Sequence, residues 1–252
     1  MTAFRLLQVV CISLFLFTSL LIAGTLDHNF ETGNDYYSNG DYKGAIAEYE
    51  KVIQAGYQSP ELYYNLGNSY FREGLLGQAI GNYIRAKRLD PRDDDIEANL
   101  SFARKFAIDK MEVTEETVFF EYINRFFDSF SLKESTWLSG ILLIILISVI
   151  ITSRIYRRIH IASPFLVLLI VVFATSSIIT GVKLDRDVLT RTGVVIFEQI
   201  EVQNGPGEDY NVQFTAHAGL ICKIEREESG YYLVNFENRL KGWISTKAVS
   251  EI

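Results

Sequence analysis

Two long apolar runs flanking one short basic turn limit what this chain can fold into. From Trp137 to about Tyr156 it reads WLSGILLIILISVIITSRIY, and from Pro164 to Val182 it reads PFLVLLIVVFATSSIITGV. Neither run carries a charge in its interior until Arg154 at the edge. At about 1.5 Å of rise per helical residue, about 20 residues cover about 30 Å, the hydrocarbon thickness of a bilayer. The expectation is a membrane hairpin with transmembrane helices at 137–156 and 164–182 and a cytoplasmic turn at 157–163. Arg154, Arg157, Arg158 and His160 occupy the turn region without an acid. Positive residues in short loops stay on the cytoplasmic side, so everything before Trp137 and after Val182 should be extracytoplasmic. Lys183 and Arg186 follow the second run, accompanied by Asp185 and Asp187, and reduce this asymmetry slightly.

The N-terminus agrees with that topology. Arg5 is followed by an apolar run from Leu6 to Ile22 and then by the small pair Ala23-Gly24. This reads as a signal sequence over 1–24. Leu21, the third residue before a cut after Ala23, is bulky, which leaves an uncleaved anchor open. Either form delivers residue 25 onward outside. The expected location is a bacterial cytoplasmic (inner) membrane, crossed twice after signal removal, with both soluble domains extracytoplasmic. Of the two cysteines, Cys11 lies in the signal segment. Cys222 is then alone, excluding an intramolecular disulfide and suiting a small packing residue. The net charge of −7 across 252 residues, with no basic stripe, argues against nucleic acid as a partner.

Between residues 25 and 110 the chain repeats itself. Gly33, Asn34, Tyr36, Ala45, Ile46 and Tyr49 recur 34 positions later as Gly67, Asn68, Tyr70, Ala79, Ile80 and Tyr83, and Asn65-Leu66 recurs as Asn99-Leu100. That period, with Tyr63, Leu66, Gly67 and Tyr70 on one helix, Ala79, Tyr83 and Ala86 on the next and Pro91 closing the unit, is the signature of the tetratricopeptide repeat. Gly67 and Ala79 are small enough to let antiparallel helices approach. About three units are usually needed for such a stack to stand. Here there are two and a fraction, so a helix from Asp94 to about Phe106 should cap the stack, with help from the membrane-proximal segment or a partner.

The remaining segments differ in character. Within 111–136, Phe119, Tyr122, Ile123, Phe126, Phe127 and Phe130 fall at helical spacing, the pattern of a juxtamembrane amphipathic helix lying in the headgroup layer or against the stack. Residues 183–252 alternate apolar and polar positions in short runs parted by turn residues such as Asn204-Gly205-Pro206-Gly207 and Ser229-Gly230. This predicts a small all-β barrel. The Gly-Pro turn, Phe214 to Gly219, and the close Gly242-Trp243-Ile244 before Val249 and Ile252 make it resemble bacterial SH3-like domains.

No chemistry-bearing constellation stands out. His28, His160 and His217 lie in three different regions, and no phosphate loop, nucleophile motif or metal-ligand spacing occurs. Neither a catalytic residue nor a metal or cofactor is expected; the candidate work is binding. The first helices of the repeats should present Asn34, Tyr37, Tyr64, Asn68, Phe71 and Arg72 to an extended peptide or partner helix, with Phe30 beside them. Tyr64 and Phe71 could instead pack between repeats. Asn34 and Asn65 stand where some such domains hold a terminal carboxylate, but Phe30, Asp95 and Asn99 replace the cations, so no carboxylate clamp is expected. On the barrel, Tyr231, Tyr232, Phe236 and Trp243 are candidates for a groove taking peptide or peptidoglycan, with Trp243 favoured as core.

Signal, repeats, two-pass hairpin and terminal SH3-like domain together resemble the BatE-type proteins of the Bacteroides aerotolerance operon family. The resemblance spans the chain by architecture and is strongest over 61–91 and 202–252; the first repeat and the short stack depart from it. It implies a non-enzymatic membrane scaffold in oxygen tolerance or envelope stress. The partners it implies are von Willebrand A domain membrane proteins and a MoxR-type ATPase complex. An envelope sensor binding peptidoglycan through the SH3-like domain is the alternative.

Overall fold

The computed structural model describes residues 27–109, 126–156, 164–236 and 240–252. The expected signal sequence, the cytoplasmic turn and the greater part of the juxtamembrane helix lie outside the described residues.

Five helices form the N-terminal stack: α1 over the described residues 27–38, α2 Tyr42–Gln54, α3 Pro60–Arg72, α4 Leu76–Leu89 and α5 Asp94–Arg104. Their ends are written locally. The Asp41 carboxylate accepts from Gly44 N at 2.9 Å, the Ser59 hydroxyl accepts from Leu62 N ahead of Pro60 at the helix start, and Asp93 accepts from the N–H groups of Asp95 and Ile96. Each cap satisfies an amide the helix itself leaves open. Gly40 and Gly74 take φ of +82° and +77° between paired helices, where a side chain would be strained. Within each pair the approach is close: a Cβ on Gly33 would meet the Tyr49 ring at 2.5 Å, and one on Gly67 the Tyr83 ring at 2.7 Å.

The two apolar runs form α6, Leu132–Tyr156, and α7, Pro164–Leu184, and a π-helical turn, Asp185–Leu189, continues α7. Both are largely exposed along their length, with Ile144 at 66% and Phe165 at 63%, and are consistent with two membrane spans. Helix α6 starts ahead of Trp137 because Ser131 and Glu134 cap each other's backbone: Ser131 N donates to the Glu134 carboxylate at 3.0 Å, and Glu134 N donates to the Ser131 hydroxyl at 3.2 Å. The hairpin is joined by hydroxyls, Ser139 lying 2.7 Å from Ser176 and 3.0 Å from Thr180. Gly181 lies away from this contact, since a Cβ there would meet only open space.

The C-terminal region is one seven-stranded antiparallel sheet in the order β3-β2-β6-β5-β4-β1-β7. Its strands are β1 Thr192–Val195, β2 Gln199–Gln203, β3 Val212–His217, β4 Ile221–Glu228, β5 Tyr231–Phe236, β6 Lys241–Ser245 and β7 Val249–Glu251. Register shifts in β2 and β4 bend it. All seven strands contribute to one core, among them Val195, Val202, Ala216, Cys222, Phe236, Ile244 and Val249. Cys222 is 1% exposed and free, and burial pushes its thiol up to about 12.

The sheet lies against the stack along α4. A Cβ on Gly77 would fall 2.2 Å from the Val195 carbonyl oxygen, so the helix backbone touches the sheet backbone directly. Val194, fully buried, belongs to the same cluster as Ala79, Ile80, Tyr83, Leu100 and Ala103. Around this apolar contact Arg85 donates to the Ser250 hydroxyl at 3.0 Å and to the Glu251 carbonyl, and Arg88 to the Thr192 hydroxyl at 2.8 Å. Past α5, the Asp109 carboxylate accepts from His217 N at 2.9 Å and lies 3.1 Å from the His217 ring. The cover that a stack of two and a fraction units needs therefore comes from the chain's own C-terminal sheet.

Candidate functional site

The two asparagines placed in the groove do structural work. The Tyr49 hydroxyl donates to Asn34 Oδ1 at 2.8 Å, and Asn65 Nδ2 donates to the same oxygen at 3.1 Å. One repeat later the Tyr83 hydroxyl donates to Asn68 Oδ1 at 2.7 Å, and Asn99 Nδ2 donates there at 2.9 Å and to the Tyr64 hydroxyl at 3.0 Å. Apart from Tyr64, every member is the counterpart of one 34 residues away. The ladder ties the first helix of a unit to its second helix and to the next unit. Burial pushes the Tyr49 phenol up to about 12 and raises that of Tyr83. Asn34 meets Asn65 in this ladder as a packing pair.

With their carbonyls used twice, Asn34 and Asn68 keep their NH2 groups free of any hydrogen bond among the described residues. Those groups can donate to a main-chain carbonyl of a bound segment. Around them, Tyr64 is half-buried with its ring 6.2 Å from Tyr83, which makes it largely a packing residue. Tyr37 is half-buried 5.3 Å from the Tyr42 ring, over which Arg72 sits at 5.0 Å. Burial raises the Tyr37 phenol, and the Arg72 charge opposes this.

Phe71 packs at 5.7 Å from Phe102 and 5.6 Å from Phe106, which are 49% and 57% exposed. Phe102 and Phe106 extend the aromatic face beyond the residues expected from the sequence. Their spacing of four, across the end of α5 and the turn after it, was the available signal.

The groove expected on the sheet is not formed by the residues assigned to it. Phe236 is 2% exposed and packs edge-on against Phe214 at 5.7 Å, inside the core. Tyr232 is 8% exposed, with its hydroxyl donating to Glu251 at 2.8 Å. Trp243 is 6% exposed beneath the Arg226 guanidinium, 5.0 Å from its ring. The alternation of β5 explains the first two: residues two apart share a face, and 232, 234 and 236 all point inward. Tyr231, on the opposite face, stays half-buried.

A profile described as TPR repeat matches residues 33–74, and one described as tetratricopeptide repeat matches residues 60–93. Residues 33–93 are thus tetratricopeptide repeats, a class that implies protein partners. No curated protein matches the sequence.

Proposed function

We propose that the chain is a non-enzymatic scaffold of a bacterial inner membrane, of the BatE type, whose extracytoplasmic repeats dock partner proteins. One observation carries this reading: the sheet occupies the α4 side of the stack, leaving the side made by α1, α3 and α5 with its aromatic and amide groups to offer. The contact between sheet and stack also supports the topology. Two modules that touch share one aqueous compartment, which requires an even number of membrane crossings between them, and α6 and α7 supply two. The basic turn then assigns that compartment to the outside. The curled sheet is read as the SH3-like domain, serving here as a brace for the stack. Its burial of Tyr232, Phe236 and Trp243 disfavours the peptidoglycan-sensing alternative. Partners of von Willebrand A type, and through them a MoxR-type ATPase complex, follow from the family resemblance.

The test uses full-length protein crosslinked to a von Willebrand A domain membrane protein of the same cell. Arg72→Glu with Phe102→Ala alters exposed groove positions and leaves the asparagine ladder intact. Recovery of the crosslinked partner should fall at least tenfold with helical circular dichroism unchanged. Unchanged recovery breaks the groove assignment.

A further inference from the structure

Stack, sheet and second membrane helix meet around a cavity of about 360 Å³, at the small end of the roughly 300–1,000 Å³ typical of ligand sites. Its walls carry Arg88 from α4, Arg104 from α5, and Lys183 and Arg186 from the end of α7, against the carboxylates of Asp128 and Asp187. Lys87 also reaches it but is spent on Glu97. The four remaining cations are incompletely answered. Lys183 is 3% exposed, yet its ammonium stands 3.6 Å from each of the two carboxylates, outside direct hydrogen-bond range. Arg186 pairs with Asp128, Nη2 donating to Oδ2 at 3.4 Å, but its buried Nη1, 3.0 Å from Oδ1, has no aligned hydrogen-bond acceptor of its own. Arg104 makes no ion pair among the described residues. Lys183 is the deeply buried member, and burying a cation without enough anions is costly. Four cations against two carboxylates leave two positive charges, which an anionic phosphate group would offset.

We infer that this cavity binds a phosphate group, and that its source is the headgroup of an anionic phospholipid in the outer half of the bilayer. Lys183 lies in the last turn of α7, an apolar span, so the cavity opens at headgroup depth, where basic pockets beside membrane helices take lipid phosphates. The Thr190 and Thr192 side chains add polar lining, and Ile84, Leu100 and Ile221 give an apolar wall for the glycerol end. The lipid assignment rests on the two helices crossing the membrane; the phosphate assignment rests on the cavity alone.

The experiment separates these. Full-length protein in phosphatidylcholine nanodiscs is given short-chain phosphatidylglycerol, and retained lipid is read by native mass spectrometry. In a second arm, protein in neutral detergent is titrated with inorganic phosphate and its thermal midpoint followed. Wild type should retain phosphatidylglycerol at least tenfold over phosphatidylcholine. Lys183→Gln should lose that preference, and Arg104→Gln, at an exposed side chain the fold does not use, should reduce it at least threefold. Equal retention of the two lipids by wild type overturns the lipid assignment, leaving a free phosphate if the detergent arm responds. No response in either arm, or an Arg104→Gln variant indistinguishable from wild type in both, overturns the site.

Discussion

Helices α2 and α4 occupy the same place in successive repeats, 34 residues apart, but their outer faces have opposite fates. Where α4 has Gly77 and Gly81, both buried, α2 has Lys43 and Ala47, both exposed. The Lys43 side chain is 83% exposed, whereas any side chain at 77 would strike the Val195 carbonyl. Arg85 and Arg88, reaching the sheet, correspond to Lys51 and Gln54, which are exposed. The inner faces, by contrast, keep the same asparagine–tyrosine ladder in both units. A repeat thus conserves the contacts it makes with its neighbours along the stack, while the outer face is free to be specialised for one covering element.

Exchanging residues between the two helices should break this contrast most severely at Gly77. Gly77→Lys, giving α4 what α2 carries, should undock the sheet. Overpacking costs about 1–3 kcal/mol in ordinary cores, and contact with a fixed backbone oxygen places this change at or above the upper end. Hydrogen exchange should show the amides of α4 and β1 losing protection together. The reverse change, Lys43→Gly, should cost only the intrinsic helix penalty, about 1 kcal/mol.

The shared ladder gives the next largest effect. Asn34→Ala and Asn68→Ala each strand a buried tyrosine hydroxyl, for about 1–3 kcal/mol by thermal or chemical denaturation. Similar losses in the two units would establish their equivalence; a loss at one alone would show that the ladder matters only where the sheet is present. Removing one docking link sharpens the outer-face difference. Arg85→Met should cost about 1–2 kcal/mol through the lost bonds to Ser250 and Glu251, while Lys51→Met should stay within about 0.5 kcal/mol.

The smallest effect is alkaline. Tyr49 is held at about 12 in the folded stack by burial, above the unfolded value of about 10. Its contribution is therefore complete below about pH 10 and is lost as pH rises towards 12. Burial raises Tyr83 in the same direction, so both units should lose stability over the same alkaline rise, followed by tyrosinate absorbance and circular dichroism.

Much of the architecture was legible because it rests on periodicity. Gly33, Asn34 and Tyr49 against Gly67, Asn68 and Tyr83 disclose a repeat unaided, and an uncharged run of about 20 residues has few other uses. What could not be read is what depends on contacts across distant chain. Gly77 and Gly81 look like poor helix residues until the sheet lies against them. Asn34 and Asn68 look free at both ends of the amide until the tyrosines 15 residues on are seen to claim their carbonyls, leaving only the NH2 groups to offer. Phe236 looks available because an aromatic in a short strand reads alike from either face; only strand register puts it inside, whereas the burial of Trp243 follows the core reading favoured for it. The early start of α6 was present in Ser131 and Glu134, a capping pair overshadowed by the apolar run that follows.

The bond from Arg85 to Ser250 joins residues 165 positions apart. At a synthesis rate of roughly 5–20 residues per second, about 8–33 s separate the emergence of the two ends of that contact. During that interval α4 has left the ribosome with Ile80 and its glycine surface bare, and the two long apolar helices must still be made before β1 can arrive. Synthesis, then, is when this surface is most exposed to aggregation, and a factor that shields the half-made chain should raise the yield.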